Sequence, residues 1–136
     1  MRKFSLTILA TVILAVGAWA LLAQGNGLSS GPVYSQAVQP IFDRECVRCH
    51  GPKEKKSKLD LSTGQSYKAI VGIPSREVPG TVLVKEGNPE ESYLWLKLDH
   101  RSSEGDGMPK GLFFSKRLKQ ADLDAIRNWI SSGAKP

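Results

Sequence analysis

The sequence predicts a small all-α domain that follows an apolar N-terminal helix. Its 136 residues suffice for one domain, and 40% hydrophobic with 24% charged residues is a globular composition. Helical periodicity appears in three segments, at 33–48, 88–98 and 120–131, and no segment shows the alternation of a convincing strand. Long loops separate these segments, which is uncommon in a small domain unless something holds them. We therefore expect helices joined by long loops that wrap a bound group.

Residues 1–24 predict either a signal peptide or an N-terminal membrane anchor. Arg2 and Lys3 precede an uncharged apolar run at residues 6–23, whose length lies between a secretory signal and a spanning helix. Ala18-Trp19-Ala20 offers a cleavage site, whereas Trp19 equally suits the membrane interface of an uncleaved helix. Either alternative predicts a periplasmic or extracytoplasmic protein, soluble after cleavage or tethered to the inner membrane. A flexible tether at 25–32 and a domain at 33–136 follow.

The charge balance indicates a protein partner and not a nucleic acid. The chain carries a formal net charge of +6 with 19 basic residues. It has no basic stripe with interleaved aromatic residues and no nucleic-acid motif. A mildly basic surface suits acidic protein partners.

Local signals fix the ends of several predicted elements. Pro40 should kink or restart the first helix. Asn88 can cap a helix that starts at Pro89 and runs to about Leu98. A short helix is expected near 66–71 and a short extended piece at 81–84. The last helix buries a stripe made of Leu123, Ile126, Trp129 and Ile130.

The chemistry is carried by Cys46-Val47-Arg48-Cys49-His50, the attachment pattern of a c-type haem. Positions i, i+3 and i+4 of a helical turn share one face, so both thiols and the imidazole point the same way. The thiols can form thioethers with the two haem vinyl groups, and His50 can bind the iron as the proximal ligand. The sequence therefore predicts one covalently bound haem c.

Two other interpretations of the motif are weaker. A redox-active Cys-x-x-Cys normally lies in a βαβ unit, and the sequence shows none. A structural zinc site needs a second cluster of ligands, but the only other histidine is His100, alone and far along the chain.

Met108 is the predicted sixth ligand of the iron. Apart from Met1, it is the only methionine in the chain, and it stands in Gly105-Asp-Gly-Met-Pro-Lys110, a loop sequence. Glycine allows a close backbone approach, Pro109 stiffens the loop, and His/Met ligation raises the reduction potential. His100 is the competing ligand. Its alternative role is to complement the dipole at the end of the helix before it.

A cluster of lysines follows the motif and consists of Lys53, Lys55, Lys56 and Lys58. It is either a solvated loop or a basic rim that orients an acidic redox partner beside the haem edge.

These pieces resemble class I c-type cytochromes and, more closely, the planctomycete-type cytochrome c domain. The resemblance covers residues 33–135 and includes Cys-Val-Arg-Cys-His-Gly-Pro at 46–52, Gly-Asn-Pro-Glu-Glu-Ser at 87–92, Met-Pro at 108–109 and Trp-Ile-Ser-Ser-Gly-Ala at 129–134. It implies a cytochrome c-like haem fold in which the first and last helices cross, bringing Phe42 near Trp129. We expect haem-pocket positions at Pro52, Leu59, Trp95 and Pro109.

The chain departs from the family pattern at three positions. Lys110 follows Met-Pro where a second proline is frequent, Lys119 occupies the usual Ser/Thr cap of the last helix, and Ser57 stands where glycine is common. The expected function is single-electron transfer by an exported monohaem cytochrome that is not itself an enzyme. The alternatives are a sensor or peroxidase-like enzyme with an open sixth position, or a structural haem module of a larger respiratory complex.

Overall fold

A computed structural model describes residues 32–111 and 114–136. These ranges contain five α-helices and two 3₁₀ turns, and no β-strand beyond single bridges, in agreement with the all-α prediction. The helices are α1 (Tyr34–Ala37), α2 (Gln39–Glu45), α3 (Ser66–Ile70), α4 (Tyr93–Leu98) and α5 (Gln120–Ser131), and the 3₁₀ turns are Lys56–Lys58 and Pro89–Glu91. The predicted apolar helix within residues 1–24 lies outside the described residues. No helix in the described ranges has the length and hydropathy needed to cross a membrane.

The first predicted helix restarts near Pro40, as expected. Helix α1 ends at Ala37 and α2 begins at Gln39, which places Pro40 in the first turn of α2. A continuous helix would need an amide hydrogen at Pro40, whereas the first turn of a new helix needs none.

The end of α2 differs from the prediction. The helix was expected to continue to Arg48 but ends at Glu45. The Phe42 carbonyl accepts from both Cys46 N (2.9 Å) and Val47 N (3.0 Å), so the regular bonding pattern is lost there. The haem-attachment motif consequently lies on a separate turn after the helix.

The predicted helix from Pro89 to Leu98 is divided in two. Asn88 Oδ1 accepts from Glu91 N at 3.2 Å, which confirms the cap, but Ser92 is extended and separates the 3₁₀ turn from α4. The amides of Tyr93 and Leu94 donate to the carbonyls of Val82 and Leu83, both at 2.9 Å. The helix breaks because the first two backbone amides of α4 donate to the segment at 82–83 and not to the 3₁₀ turn before them. That segment is part of the expected extended piece at 81–84, which forms only isolated bridges.

Helix α5 follows the prediction and packs on the first helix. Its stripe is buried, and Tyr34 of α1 contacts two aromatic rings, with its centroid 4.9 Å from that of Trp129 in a tilted pair and 6.2 Å from that of Phe42 in an edge-on pair. The first and last helices are therefore in contact, and Tyr34 contacts both of the rings that the resemblance predicts to be near one another. Lys119 gives α5 no side-chain cap.

Candidate functional site

The motif at residues 46–50 forms one helical turn closed by its own backbone. Cys46 O accepts from Cys49 N at 3.1 Å and from His50 N at 2.9 Å. Gly51 must be a glycine here, since a Cβ would lie 2.4 Å from the Val47 carbonyl oxygen. The predicted juxtaposition of both thiols and the imidazole on one turn is thus retained although α2 has ended.

The His50 ring is oriented by the loop that follows it. Its Nδ1 lies 3.0 Å from the Lys56 carbonyl oxygen. In the tautomer that donates this bond, Nε2 is the free nitrogen, as in histidines that bind metals. The Lys56 amide also donates to Cys49 O at 3.1 Å, so the loop is tied back onto the motif.

Both cysteines, His50 and Met108 line one cavity of about 990 Å³. This volume is at the upper end of those found for small-molecule and cofactor sites. Its apolar wall is formed by Leu59, Leu61, Ile73, Leu83, Leu94, Leu98 and Pro109. The structure therefore brings together the four side chains that the sequence assigned to haem attachment and iron ligation, together with Leu59 and Pro109.

Two other predicted pocket residues lie elsewhere. Pro52 is exposed on the loop after the motif, and Trp95 is buried in the core. Neither lines the cavity among the described residues. Trp95 Nε1 is buried without a hydrogen-bond partner in the described part of the chain.

The Met108 backbone is held by one main-chain carbonyl of α4 and by one side chain that follows the helix. Met108 N donates to the Lys97 carbonyl at 2.9 Å, and His100 Nε2 lies 3.2 Å from the Met108 carbonyl oxygen. The two glycines of the loop face the side chains of Lys97 and His100. A Cβ on Gly107 would lie 2.5 Å from the His100 ring, and one on Gly105 would lie 2.8 Å from Lys97 Nζ.

A charged cluster on the cavity wall, built around one buried lysine, was not predicted. Lys97 Nζ, on a side chain only 7% exposed, contacts Glu77 Oε2 at 2.7 Å and donates to the Glu104 carbonyl at 2.8 Å. Tyr93 donates its hydroxyl to the same Glu77 oxygen at 2.7 Å. The hydrogen bonds from Lys97 and Tyr93 lower the pKa of Glu77, and burial raises that of Tyr93. The one signal for this cluster in the sequence was that Tyr93 and Lys97 are four residues apart, a spacing that places two side chains on the same face of a helix.

The cavity lining is strongly basic. Two carboxylates, Glu45 and Glu77, stand against nine basic side chains in the described lining: Arg44, Arg48, Lys56, Lys58, Lys68, Arg76, Lys97, Lys110 and Lys116. Two members of the predicted lysine rim, Lys56 and Lys58, belong to this set. Lys53 and Lys55 do not line the cavity, and Lys55 pairs with Asp60 at 3.0 Å.

The Cys46 thiol does not resemble a redox-active thiol. Burial, reinforced by the nearby Glu45 carboxylate, raises its pKa to about 12. Reactive cysteines of redox Cys-x-x-Cys sites have lowered pKa values. The described residues also contain no cluster of three or more His, Cys, Asp or Glu able to hold a metal ion by themselves. The donor set instead fits haem c, with two thiols and an imidazole on one turn and a thioether on the same cavity.

Comparison with known families decides between these interpretations. Residues 46–110 match the family model of planctomycete cytochrome C. The resemblance predicted from the sequence is confirmed for this segment, which runs from the first motif cysteine to the residue after Met-Pro. No curated protein and no solved structure is detectably similar to the chain. The planctomycete cytochrome C segment spans just under half of the 136 residues and contains all four predicted haem-binding residues.

Proposed function

We propose that this c-type cytochrome is an exported monohaem electron carrier with His50 and Met108 as axial ligands. The proposal rests on one observation: the Cys46–Cys49–His50 turn and Met108 line the same cavity. The family match supports the assignment as a c-type cytochrome, and the shared cavity supports His50 and Met108 as the pair of iron ligands.

Each residue has a separate task in this proposal. Cys46 and Cys49 anchor the porphyrin through thioethers, and His50 is aimed by its Nδ1 contact to Lys56 O. Bound haem supplies an iron that takes up and releases one electron, and a thioether ligand favours its reduced state. Met108 would supply the second protein ligand to the iron, which would then have no free position for a substrate. The apolar side chains of the wall would lie against the porphyrin.

The ligand assignment is tested by Met108→Ala in the holoprotein. We expect the wild type to be low-spin, with the weak far-red absorption band of ferric Met-ligated haem. The variant should lose this band and shift strongly to lower potential while still attaching haem, because Met/His ligation raises the potential. Absorption spectroscopy and a redox titration measure both effects.

The alternatives give different results in the same measurements. A high-spin wild type, or CO binding at native pH, would indicate an open sixth position and thus a sensor or peroxidase-like enzyme. An unchanged potential in Met108→Ala would leave a structural haem module as the better interpretation. Lys110→Ala serves as the control, since it changes the same loop without removing a ligand.

We further propose that the basic cavity rim docks acidic redox partners. The described lining has a large excess of positive charge. Lys56, Lys110 and Lys116 are more than 60% exposed, but each pairs with a carboxylate. The exposed basic side chains of the lining that form no ion pair among the described residues are Arg48, Lys58, Lys68 and Arg76. Exposed charge of one sign steers an oppositely charged partner, and salt screens this attraction.

The rim is tested with two small oxidants of opposite charge. Oxidation of the reduced protein by the hexacyanoferrate(III) anion should slow as ionic strength rises, whereas oxidation by the tris(1,10-phenanthroline)cobalt(III) cation should not. Lys58→Glu should weaken the salt dependence with the anion. Lys135→Glu, an exposed lysine outside the cavity lining, should weaken it less. Equal salt dependence for the two oxidants would contradict a docking rim.

A further inference from the structure

We propose that His100 is a positioning residue that holds the Met108 main chain so that the thioether is presented to the cavity. This inference rests on the proposed role of Met108 as an iron ligand. His100 itself binds no iron in this proposal.

The first support is the bonding of the Met108 backbone. His100 Nε2 lies 3.2 Å from the Met108 carbonyl oxygen and can donate to it when the ring carries its proton on Nε2. On the other side, the Met108 amide donates to the Lys97 carbonyl at 2.9 Å. Both polar groups of the Met108 backbone are therefore satisfied by the end of α4, and the direction in which its side chain leaves is fixed.

The second support is the close packing of the ring on the preceding residue. A Cβ on Gly107 would lie 2.5 Å from His100 Cγ and Cδ2 and 2.9 Å from Nδ1. The ring thus lies directly against the Gly107 backbone, at a distance that only glycine permits. The requirement for glycine beside Met108 is explained by His100.

The third support is the backbone of His100 itself. Its φ is 58°, in the left-handed region that a residue other than glycine enters at a cost. This turn directs the chain back from α4 so that the ring reaches residues 107 and 108. Such conformations persist where the surrounding contacts determine them, and the contacts here are those with Gly107 and Met108.

His100 also differs from the other anchors of the loop. Lys97 Nζ and the Tyr93 hydroxyl both reach the Glu104 carbonyl, at 2.8 and 3.2 Å, and so hold the start of the loop. Among the described side chains, His100 alone hydrogen-bonds to Met108. It does not line the cavity in the described chain, so in this arrangement it supports Met108 and does not compete with it.

The test measures how readily an external ligand displaces Met108 from the iron. Holoproteins carrying His100→Ala and His100→Gln are titrated with imidazole in the ferric state. Both variants keep a Cβ, so the backbone cost at this position is unchanged, and glutamine can place an amide donor near the position of Nε2. Ser102→Ala is the control, because its hydroxyl bonds to Glu104 O in the same loop without reaching Met108.

We expect His100→Ala to bind imidazole about two- to tenfold more tightly than the wild type, the factor that one hydrogen bond of ordinary net strength supplies. The far-red band should weaken in parallel. His100→Gln should lie closer to the wild type than to His100→Ala, and Ser102→Ala should match the wild type.

One outcome would overturn the inference, namely an imidazole affinity of His100→Ala equal to that of the wild type. If the same variant also lost thermal stability, His100 would be a purely structural residue. If Met108→Ala also left the band and the imidazole affinity unchanged, the ligand assignment itself would have failed, so the two failures are distinguishable.

Discussion

Ser57 is one of the residues beside the proposed haem site whose backbone is left-handed. Its φ of 56° and ψ of 19° lie in the left-handed region, and Lys58 follows with the same φ. This conformation costs a non-glycine residue about 1–2 kcal/mol. The departure from the glycine-rich family pattern at this position is therefore a source of strain. The strained turn directly follows Lys56, whose carbonyl oxygen orients His50.

Ser57→Gly should relieve this strain. We expect the free energy of unfolding of the holoprotein to rise by about 0.5–1 kcal/mol, since glycine removes the steric cost but adds freedom to the unfolded chain. Denaturant unfolding measures the change. Ser103→Gly is the matched control, because Ser103 is exposed and has no positive φ, so its replacement should give no gain. A destabilised Ser57→Gly protein would contradict the interpretation.

At the scale of elements, helix α4 connects the two halves of the cavity wall. The side chains of Tyr93 and Lys97 on this helix both contact the Glu77 carboxylate. At the carboxyl end of the helix, the Lys97 carbonyl accepts a hydrogen bond from the Met108 amide. The Lys97–Glu77 pair is the main ionic link between the 74–80 segment and this helix. The hydrogen bond from Lys97 is the largest cause of the lowered pKa of Glu77.

This pair predicts a specific acid sensitivity. Because the pKa of Glu77 is lower in the folded protein than its ordinary 4.5, the pair stabilises the fold above 4.5 and loses its effect as the pH falls through the folded pKa. Glu77→Gln should therefore have a lower Tm than the wild type at neutral pH, and the difference should shrink in acid. Thermal unfolding across the pH range measures it. Glu90→Gln, which breaks an exposed pair with Arg101, should show a smaller difference. A pH-independent difference for Glu77→Gln would refute the prediction.

Sequence patterns anticipated those elements that depend on near neighbours. The stripe of α5, the restart near Pro40 and the Asn88 cap each follow from residues within a few positions. The end of α2 at Glu45 and the break at Ser92 depend on hydrogen bonds that periodicity does not encode, in the second case with the segment at 82–84. At the site, the motif spacing and the Met-Pro loop predicted four residues that line the cavity, namely Cys46, Cys49, His50 and Met108. The roles of Lys97, Glu77 and His100 required tertiary contacts and were missed.

At the scale of the whole molecule, the haem cavity takes the place of part of a core. Its wall is formed by residues from 44 to 116 and includes apolar side chains from several loops. A cavity of about 990 Å³ with such a wall is unfavourable when it holds only water. We therefore expect the compactness of the domain to depend on the cofactor.

The variant Cys46→Ala/Cys49→Ala, which cannot attach haem covalently, should be largely unfolded. We expect circular dichroism to show most of the helical signal lost. Intact mass serves as the control for covalent haem and also shows in the wild type whether residues 1–24 have been removed, and the visible absorption spectrum verifies that the variant holds no non-covalent haem. Native helix content in the haem-free variant would contradict this dependence.

The locality of the attachment turn has a consequence for the order of events in folding. In the turn's own backbone bonds, the amides of Cys49 and His50 donate to the Cys46 carbonyl and the Leu61 amide donates to the His50 carbonyl, so these bonds span only residues 46–61. Met108 follows His50 by 58 residues (108 − 50). Its loop reaches the site only through long-range contacts, which form late because closing a long loop costs chain entropy. We therefore expect a flat macrocycle to reach the two thiols from the side that is still open, and the methionine loop to close last, over a cofactor already in place.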